Sequence, residues 1–314
     1  MMLLKIENLK TYFESGGRVL RAVDNVSLSV DRGEFISIVG ESGCGKSTLA
    51  YSIIRLVSPP GKIVDGKIIF ENKNLLDLSD KEMKKIRGKE IGMIFQDPMT
   101  SLDPLEKIGD QMIETIIEHM KISKKEALEI AGKMLEKVGL PFNRLNYYPH
   151  QLSGGQRQRV MIAMAISLNP KLLIADEPTT ALDVIVQEKI MNILEDMKKE
   201  GRAIILITHD FALASERSDK IAVMYAGWLV EFGRAKDLTE EPLHPYSKAL
   251  IDSVPDIWMD KEIRPIPGFP PDLSNPPKGC RFRPRCPFAD EKCEREPPLV
   301  NLENRIVKCW HYEA

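Results

Sequence analysis

Gly40-Glu41-Ser42-Gly43-Cys44-Gly45-Lys46-Ser47-Thr48 carries the spacing G-x-x-x-x-G-K-[ST], and the chemistry of that spacing is the holding of phosphate. Its glycines let the backbone fold so closely that successive N–H groups face phosphate oxygens, and a following helix N-terminus adds positive potential. In this arrangement Lys46 reaches the β- and γ-phosphates and the Ser47 hydroxyl ligates Mg2+. Cys44 fills a free position of the motif and reads as a small tolerated residue. Farther along, Leu172-Leu173-Ile174-Ala175-Asp176-Glu177 is an apolar run that ends in two carboxylates. The first, Asp176, is placed to hold the metal through water, and Glu177 to polarise attacking water as a general base.

These groups need elements to position them. Short β-like runs fill Leu3 to Val39, with a turn at Gly16-Gly17, and end in the buried run Phe35 to Val39. Apolar residues at helical spacing follow the phosphate loop from Leu49 to Leu56. Strand, glycine loop, helix is the order that phosphate binding requires. From about Lys81 to Val160 the composition turns helical and charged, with amphipathic stretches at Ile108 to Met120 and Lys124 to Val138, which reads as a helical subdomain inserted into a sheet. The apolar runs Leu172 to Ala175 and Ala203 to Thr208, separated by the helix-like Ile185 to Lys199, predict a parallel sheet.

Length and composition bound the rest. The 314 residues suggest roughly two domains at about 150 residues each. Hydrophobic residues at 43% and charged residues at 29% exclude a disordered, collagen-like or disulfide-scaffold chain. With 44 Lys+Arg against 46 Asp+Glu there is no basic surplus to recommend nucleic acid as the partner. No apolar stretch approaches the roughly 18 residues that span a bilayer, and no secretory signal is visible, so cytoplasmic residence is the expectation.

Leu152-Ser153-Gly154-Gly155-Gln156 lies between the two phosphate motifs, and with them it resembles the ATP-binding cassette (ABC) ATPases across roughly Met1 to Gly233. The resemblance implies an α/β P-loop fold: a RecA-like parallel core sheet, an N-terminal antiparallel β subdomain, and an inserted helical subdomain over about 97–165. The nucleotide-binding domain would span 1–235. The cofactors implied are ATP and Mg2+, the latter near Ser47, Gln96 and Asp176. The nucleotide set is Tyr12 on adenine, Gly40, Glu41, Ser42, Gly43, Cys44, Gly45, Lys46, Ser47 and Thr48 on phosphate, and Ser153, Gly154, Gly155 and Gln156 on the γ-phosphate of a nucleotide held by the opposite subunit. Gln96, in Ile94-Phe95-Gln96-Asp97-Pro98, matches the glutamine that touches Mg2+ or the attacking water. Asp183, in Thr180-Ala181-Leu182-Asp183, matches the loop crossing the dimer interface, and His209 the γ-phosphate-sensing histidine. Glu177, His209 and Gln96 form the catalytic set.

The segment 236–314 changes character. Ile263 to Pro298 holds ten of the 21 prolines, which favours a turn-rich tail without long helices. His244-Pro245-Tyr246, Ile266-Pro267-Gly268, Gly279-Cys280-Arg281-Phe282 and Pro284-Arg285-Cys286-Pro287 resemble the C-terminal extension of oligopeptide/dipeptide importer ATPases. That implies peptide import, with oligosaccharide or nickel as alternative cargo within the branch and a non-transport cassette ATPase as the other class. It also implies a second related cassette or a second copy, two transmembrane permeases, an extracytoplasmic binding protein, and a peripheral place on the cytoplasmic face of the membrane. Cys280, Cys286, Cys293 and Cys309 supply four thiols that suit a 4Fe-4S cluster, with zinc, a disulfide or plain structural thiols as alternatives. Arg281, Arg283 and Arg285 interleave with them, either to offset thiolate charge or as solvated cations.

Overall fold

The computed structural model describes residues 1–97, 101–180, 182–253 and 265–313. Pro98, Ala181 and the start of the proline-rich stretch at Ile263 lie outside them. The chain divides into two compact units: Met1–Asp31, Phe35–Asp77 and Leu206–Ala314 in the first, Arg32–Glu34 and Leu78–Ile205 in the second.

The first unit opens with strands β1 (Met2–Ser15) and β2 (Arg18–Asp31), joined through Gly16 and Gly17. Both glycines have positive φ, 57° and 75°, the geometry that lets a two-residue turn match strand twist. Strand β3 (Phe35–Val39) follows, then helix α1 (Lys46–Ile53), β4 (Gly61–Phe70) and the short β5 (Lys73–Asn74). One antiparallel sheet has the order β2-β1-β4-β5.

All five residues of β3 are buried, as expected of a strand covered on both faces. After residue 206 come α7 (Phe211–Arg217), β9 (Lys220–Tyr225), β10 (Trp228–Arg234), α8 (Ala235–Glu240), α9 (Pro245–Asp252), β11 (Leu299–Leu302) and β12 (Arg305–Lys308). Strand β9 runs parallel to β3, whereas β10, β12 and β11 add antiparallel strands beyond it. The terminal β11/β12 hairpin was not legible in the sequence, because Leu299 to Lys308 is half-exposed and carries little apolar alternation. The tail otherwise has the turn-rich character expected, with one-turn helices at Arg283–Arg285 and Glu291–Glu294.

The second unit contains α2 (Asp80–Ile86), β6 (Ile91–Ile94), α3 (Ile108–Met120), α4 (Lys124–Lys137), α5 (Gly154–Ile166), β7 (Leu172–Asp176), α6 (Val184–Lys199) and the first half of β8 (Ala203–Thr208). Strands β6 and β7 are parallel. The sequence reading placed no strand at 91–94. A run of only four residues gives no period to count, and its full burial beside β7 decides its state. Helices α4 and α5 begin with reciprocal capping boxes, Ser123 with Glu126 and Ser153 with Gln156.

Candidate functional site

In the first unit β3 delivers the chain into the phosphate loop and α1 carries it away. Gly40 has φ 154° and Gly45 φ 107°. A Cβ at Gly40 would sit 2.2 Å from the Met224 carbonyl oxygen, and one at Gly45 only 2.0 Å from that of Ala22, so the loop closes this tightly only with glycine. Gly43, by contrast, faces open space. The Cys44 carbonyl accepts from the Gly227 N–H at 2.9 Å, which ties the loop to the β9–β10 turn. No side chain caps the start of α1 and its first turn holds no acid, so its leading N–H groups are available to an anion.

Lys46 is 6% exposed, and its Nζ donates to the Gly40 and Glu41 carbonyls at 2.7 and 2.9 Å. The ammonium is thereby folded over the loop it serves. Ser47 and Thr48 line a cavity of about 230 Å3 together with Phe13, Tyr51, Leu56, Val57 and Ser58. A glycine loop that encloses an ammonium and is followed by the hydroxyls of Ser47 and Thr48 fits a nucleoside triphosphate carried with Mg2+. Cys44 is buried, and burial holds its thiol above the ordinary range, which suits an unreactive filler.

The aromatic wall belongs to Phe13. Its ring lies over Gly61, where a Cβ would come within 2.6 Å of Cε1, and it lines the cavity of Ser47 and Thr48. Tyr12, the expected adenine contact, instead donates its hydroxyl to Asp24 Oδ1 at 2.6 Å; burial and the Asp24 charge push its pKa up to about 12. Adjacent residues of a strand point to opposite faces, so one register choice separates the two. His209 follows β8 and is exposed.

In the second unit Asp176 ends β7, fully buried, and Glu177 follows it with φ 46°. A non-glycine residue in this region is held there by its surroundings. The Thr180 hydroxyl donates to Glu177 Oε2 at 3.2 Å and the Gln96 amide to the same oxygen at 3.5 Å. Gln158, buried on α5, donates to the Pro178 carbonyl at 2.9 Å, so the helix that starts at Ser153 fixes the turn after Glu177. Sequence reading missed Gln158; its position four residues after Gly154 on the helix is the signal that could have found it. Ser153 caps that helix by accepting from the Gln156 N–H at 3.3 Å, while Gly154 faces open space. Asp183 caps α6 through the Val186 N–H at 3.0 Å.

The iron–sulfur reading of the tail is corrected. Among the described residues no group of three or more His, Cys, Asp or Glu is placed to hold a metal ion. All four tail cysteines are free thiols. Burial raises the pKa of each, that of Cys280 to about 11, so they are neutral and pack as small apolar groups. Cys280 and Cys286 lie against the cluster of Trp228, Tyr246 and Phe282. The spacing of four cysteines reports nearness in sequence, whereas metal binding needs converging thiolates.

Among the described residues no helix is long and apolar enough to cross a membrane. The ABC transporter family matches residues 23–180, and the oligopeptide/dipeptide transporter C-terminal region matches residues 230–293. The chain is 47% identical to the oligopeptide transport ATP-binding protein OppD of Bacillus subtilis over 98% of its own length and 88% of that protein's. It is 46% identical to the dipeptide transport ATP-binding protein DppD of Escherichia coli, covering 99% and 97% of the two chains. The solved dimeric post-hydrolysis state of the ATP-binding cassette MJ0796, bound to ADP and Pi, superposes with a TM-score of 0.69 at 33% identity, over 74% of this chain and 99% of that one.

Proposed function

The chain belongs to the ABC transporter family, as an ATP-binding subunit of the oligopeptide/dipeptide type, and from that membership we propose that it hydrolyses ATP to power peptide import across a membrane. The observation that carries the ATPase reading is the glycine cradle around Lys46, which no residue with a Cβ could form at Gly40 or Gly45. Peptide is the cargo because the relatives matched over nearly their whole length are peptide-transport proteins; an oligosaccharide or nickel cargo is not favoured.

The chemistry divides among named groups. Gly43, Cys44, Gly45 and Lys46 present backbone N–H groups and an ammonium to the phosphates, and Phe13 offers the base an apolar face. Ser47, Gln96 and Asp176 would hold Mg2+ carried with the nucleotide, and the ion would supply neutralisation of phosphate charge. Glu177 accepts a proton from the attacking water, oriented by Gln96 and Thr180. His209 contacts the γ-phosphate.

Ser153, Gly154, Gly155 and Gln156 complete the site of a second cassette, and Asp183 lies at that interface. Support comes from the dimeric state of the solved relative and from Val184 and Ile185, which are 81% and 83% exposed beside Asp183. The second cassette is a related subunit or a second copy of this chain. Residues 236–314 form the extension of the peptide-importer branch, supported by the match over 230–293. The subunit sits peripherally on the cytoplasmic face beneath two permease subunits.

The test is reconstitution with candidate permease subunits in proteoliposomes. Peptide accumulation that requires ATP on the side of this subunit supports the reading. Hydrolysis stimulated by nickel or an oligosaccharide but by no peptide overturns the cargo assignment.

A further inference from the structure

The second residue of the phosphate loop is held by the C-terminal segment. Glu41 is paired bidentately with Arg285, Nη1 to Oε2 at 2.7 Å and Nη2 to Oε1 at 2.9 Å. The backbone N–H of Glu41 donates to the Tyr246 hydroxyl at 2.9 Å. Both partners are themselves fixed. Arg285 is 4% exposed at its side chain and donates through Nε to the Pro267 carbonyl at 2.7 Å and through Nη1 to the Tyr225 hydroxyl at 3.3 Å. Tyr246 is fully buried against Tyr225 and Phe282, with ring centroids 4.5 and 5.4 Å apart.

The three interleaved arginines therefore do different things. Arg283 is half-buried and pairs with Glu294. Arg281 lies over Trp228 and bonds Asp24 and the Ala226 carbonyl. Arg285 alone of the three reaches the phosphate loop. The other face of Glu41 matters as much, because its carbonyl accepts from Lys46 Nζ at 2.9 Å. One residue thus joins the C-terminal segment to the lysine that meets phosphate.

We infer that Arg285 and Tyr246 are positioning residues for the nucleotide site: they hold Glu41, and through it the phosphate loop and Lys46, in the phosphate-accepting shape before nucleotide arrives. This rests on the ATPase reading for its function but not for its geometry. A fork-shaped pair fixes both carboxylate oxygens, which a point charge cannot do, so lysine is a poor substitute for Arg285. A loop ordered in advance binds its ligand without the cost of ordering at that moment.

The test uses the full-length chain with Arg285→Lys, Glu41→Gln, the double variant, and Arg283→Ala as a control outside the latch. Hydrogen exchange of residues 40–46 without nucleotide should rise in both single variants and stay unchanged in Arg283→Ala. The dissociation constant of a fluorescent ATP analogue should rise about five- to tenfold in each single variant. The double variant should be no worse than the weaker-binding single variant, since both act through one contact. In the assembled transporter, kcat of Arg285→Lys at saturating ATP should stay within about twofold while its KM for ATP rises, because bound nucleotide reorders the loop.

Unchanged exchange and affinity in both single variants would overturn the inference, as would losses that multiply in the double. Glu41→Gln carries the test by itself should Arg285→Lys fail to fold. Absence of nucleotide binding by the wild-type chain would count against the ATPase reading, while the exchange data would still decide the latch.

Discussion

The side-chain amide of Gln96 donates to Oε2 of Glu177 at 3.5 Å across 81 positions of sequence, and the Thr180 hydroxyl meets the same oxygen at 3.2 Å. An amide and a hydroxyl that together orient the carboxylate suit it to accept a proton from water as a general base. Glu177→Gln should therefore lower kcat by about 10²- to 10⁴-fold with ATP affinity retained, whereas Gln96→Ala should cost less because it removes only orientation. Steady-state phosphate release alongside nucleotide binding separates the two, and near-normal turnover in Glu177→Gln would remove Glu177 from the mechanism.

Gly45→Ala should abolish nucleotide binding and destabilise the fold. Its Cβ would meet the Ala22 carbonyl oxygen at 2.0 Å, at a φ of 107° that an L side chain rarely adopts. Overpacking and backbone strain together predict a loss of about 2–4 kcal/mol, read by urea unfolding. Gly43→Ala faces open space at φ 76°, so it should lose only the strain, about 1–2 kcal/mol. Equal losses at the two positions would contradict this ordering.

Stability should fall with pH on the acid side of neutrality, and His244 should be responsible. It is buried, its Nδ1 accepts from the Tyr246 N–H at 3.0 Å to cap α9, and burial depresses its pKa to about 3. An accepting nitrogen must be unprotonated. The unfolded chain therefore binds a proton below about 6.5 that the folded chain refuses, so stability is full above that value and declines as pH falls from there toward 3. The slope from this one group approaches about 1.4 kcal/mol per pH unit. Paired carboxylates such as Asp24, whose pKa is lowered, lose stability only at lower pH. His119 also has a depressed pKa, so the comparison that isolates His244 is wild type against His244→Asn, in which asparagine can still cap the helix. Denaturant midpoints from pH 7 to 5 should fall more steeply in wild type, and parallel curves would refute the assignment.

The tail thiols should be slow to alkylate. Burial pushes Cys280 up to about 11, so at pH 8 its thiolate fraction is about a hundredfold below that of an ordinary cysteine. Mass-spectrometric rates with iodoacetamide should show Cys280 far slower than free cysteine at pH 8, with the gap closing as pH rises. Rapid alkylation at pH 8 would mean that the thiol is neither buried nor neutral.

Much of the site was legible in sequence because its parts are local. Gly40 to Thr48 specify their own loop, since the glycines and Lys46 act within nine consecutive residues, and Leu172 to Glu177 specify a buried strand with two terminal carboxylates. The helix start at Ser153 to Gln156 also rests on a local device in the structure, a four-residue capping box.

Other features depended on residues far apart. Phe13 rather than Tyr12 borders the Ser47 cavity because Phe13 lies opposite Gly61 in the β1–β4 pairing, and no local pattern states that register. Ile91 to Ile94 became a strand through its parallel partner β7. Four cysteines at promising spacing became packed, protonated thiols, since burial set their charge.

The sequence by itself determined the chemistry, because phosphate loops, strand-end carboxylates and helix caps are built from neighbours whose backbone geometry follows from residue type. Only the tertiary structure decided which charge meets which. Arg285 and Glu41 stand 244 positions apart, and among three arginines of identical chemistry the fold alone selects the one that grips the phosphate loop.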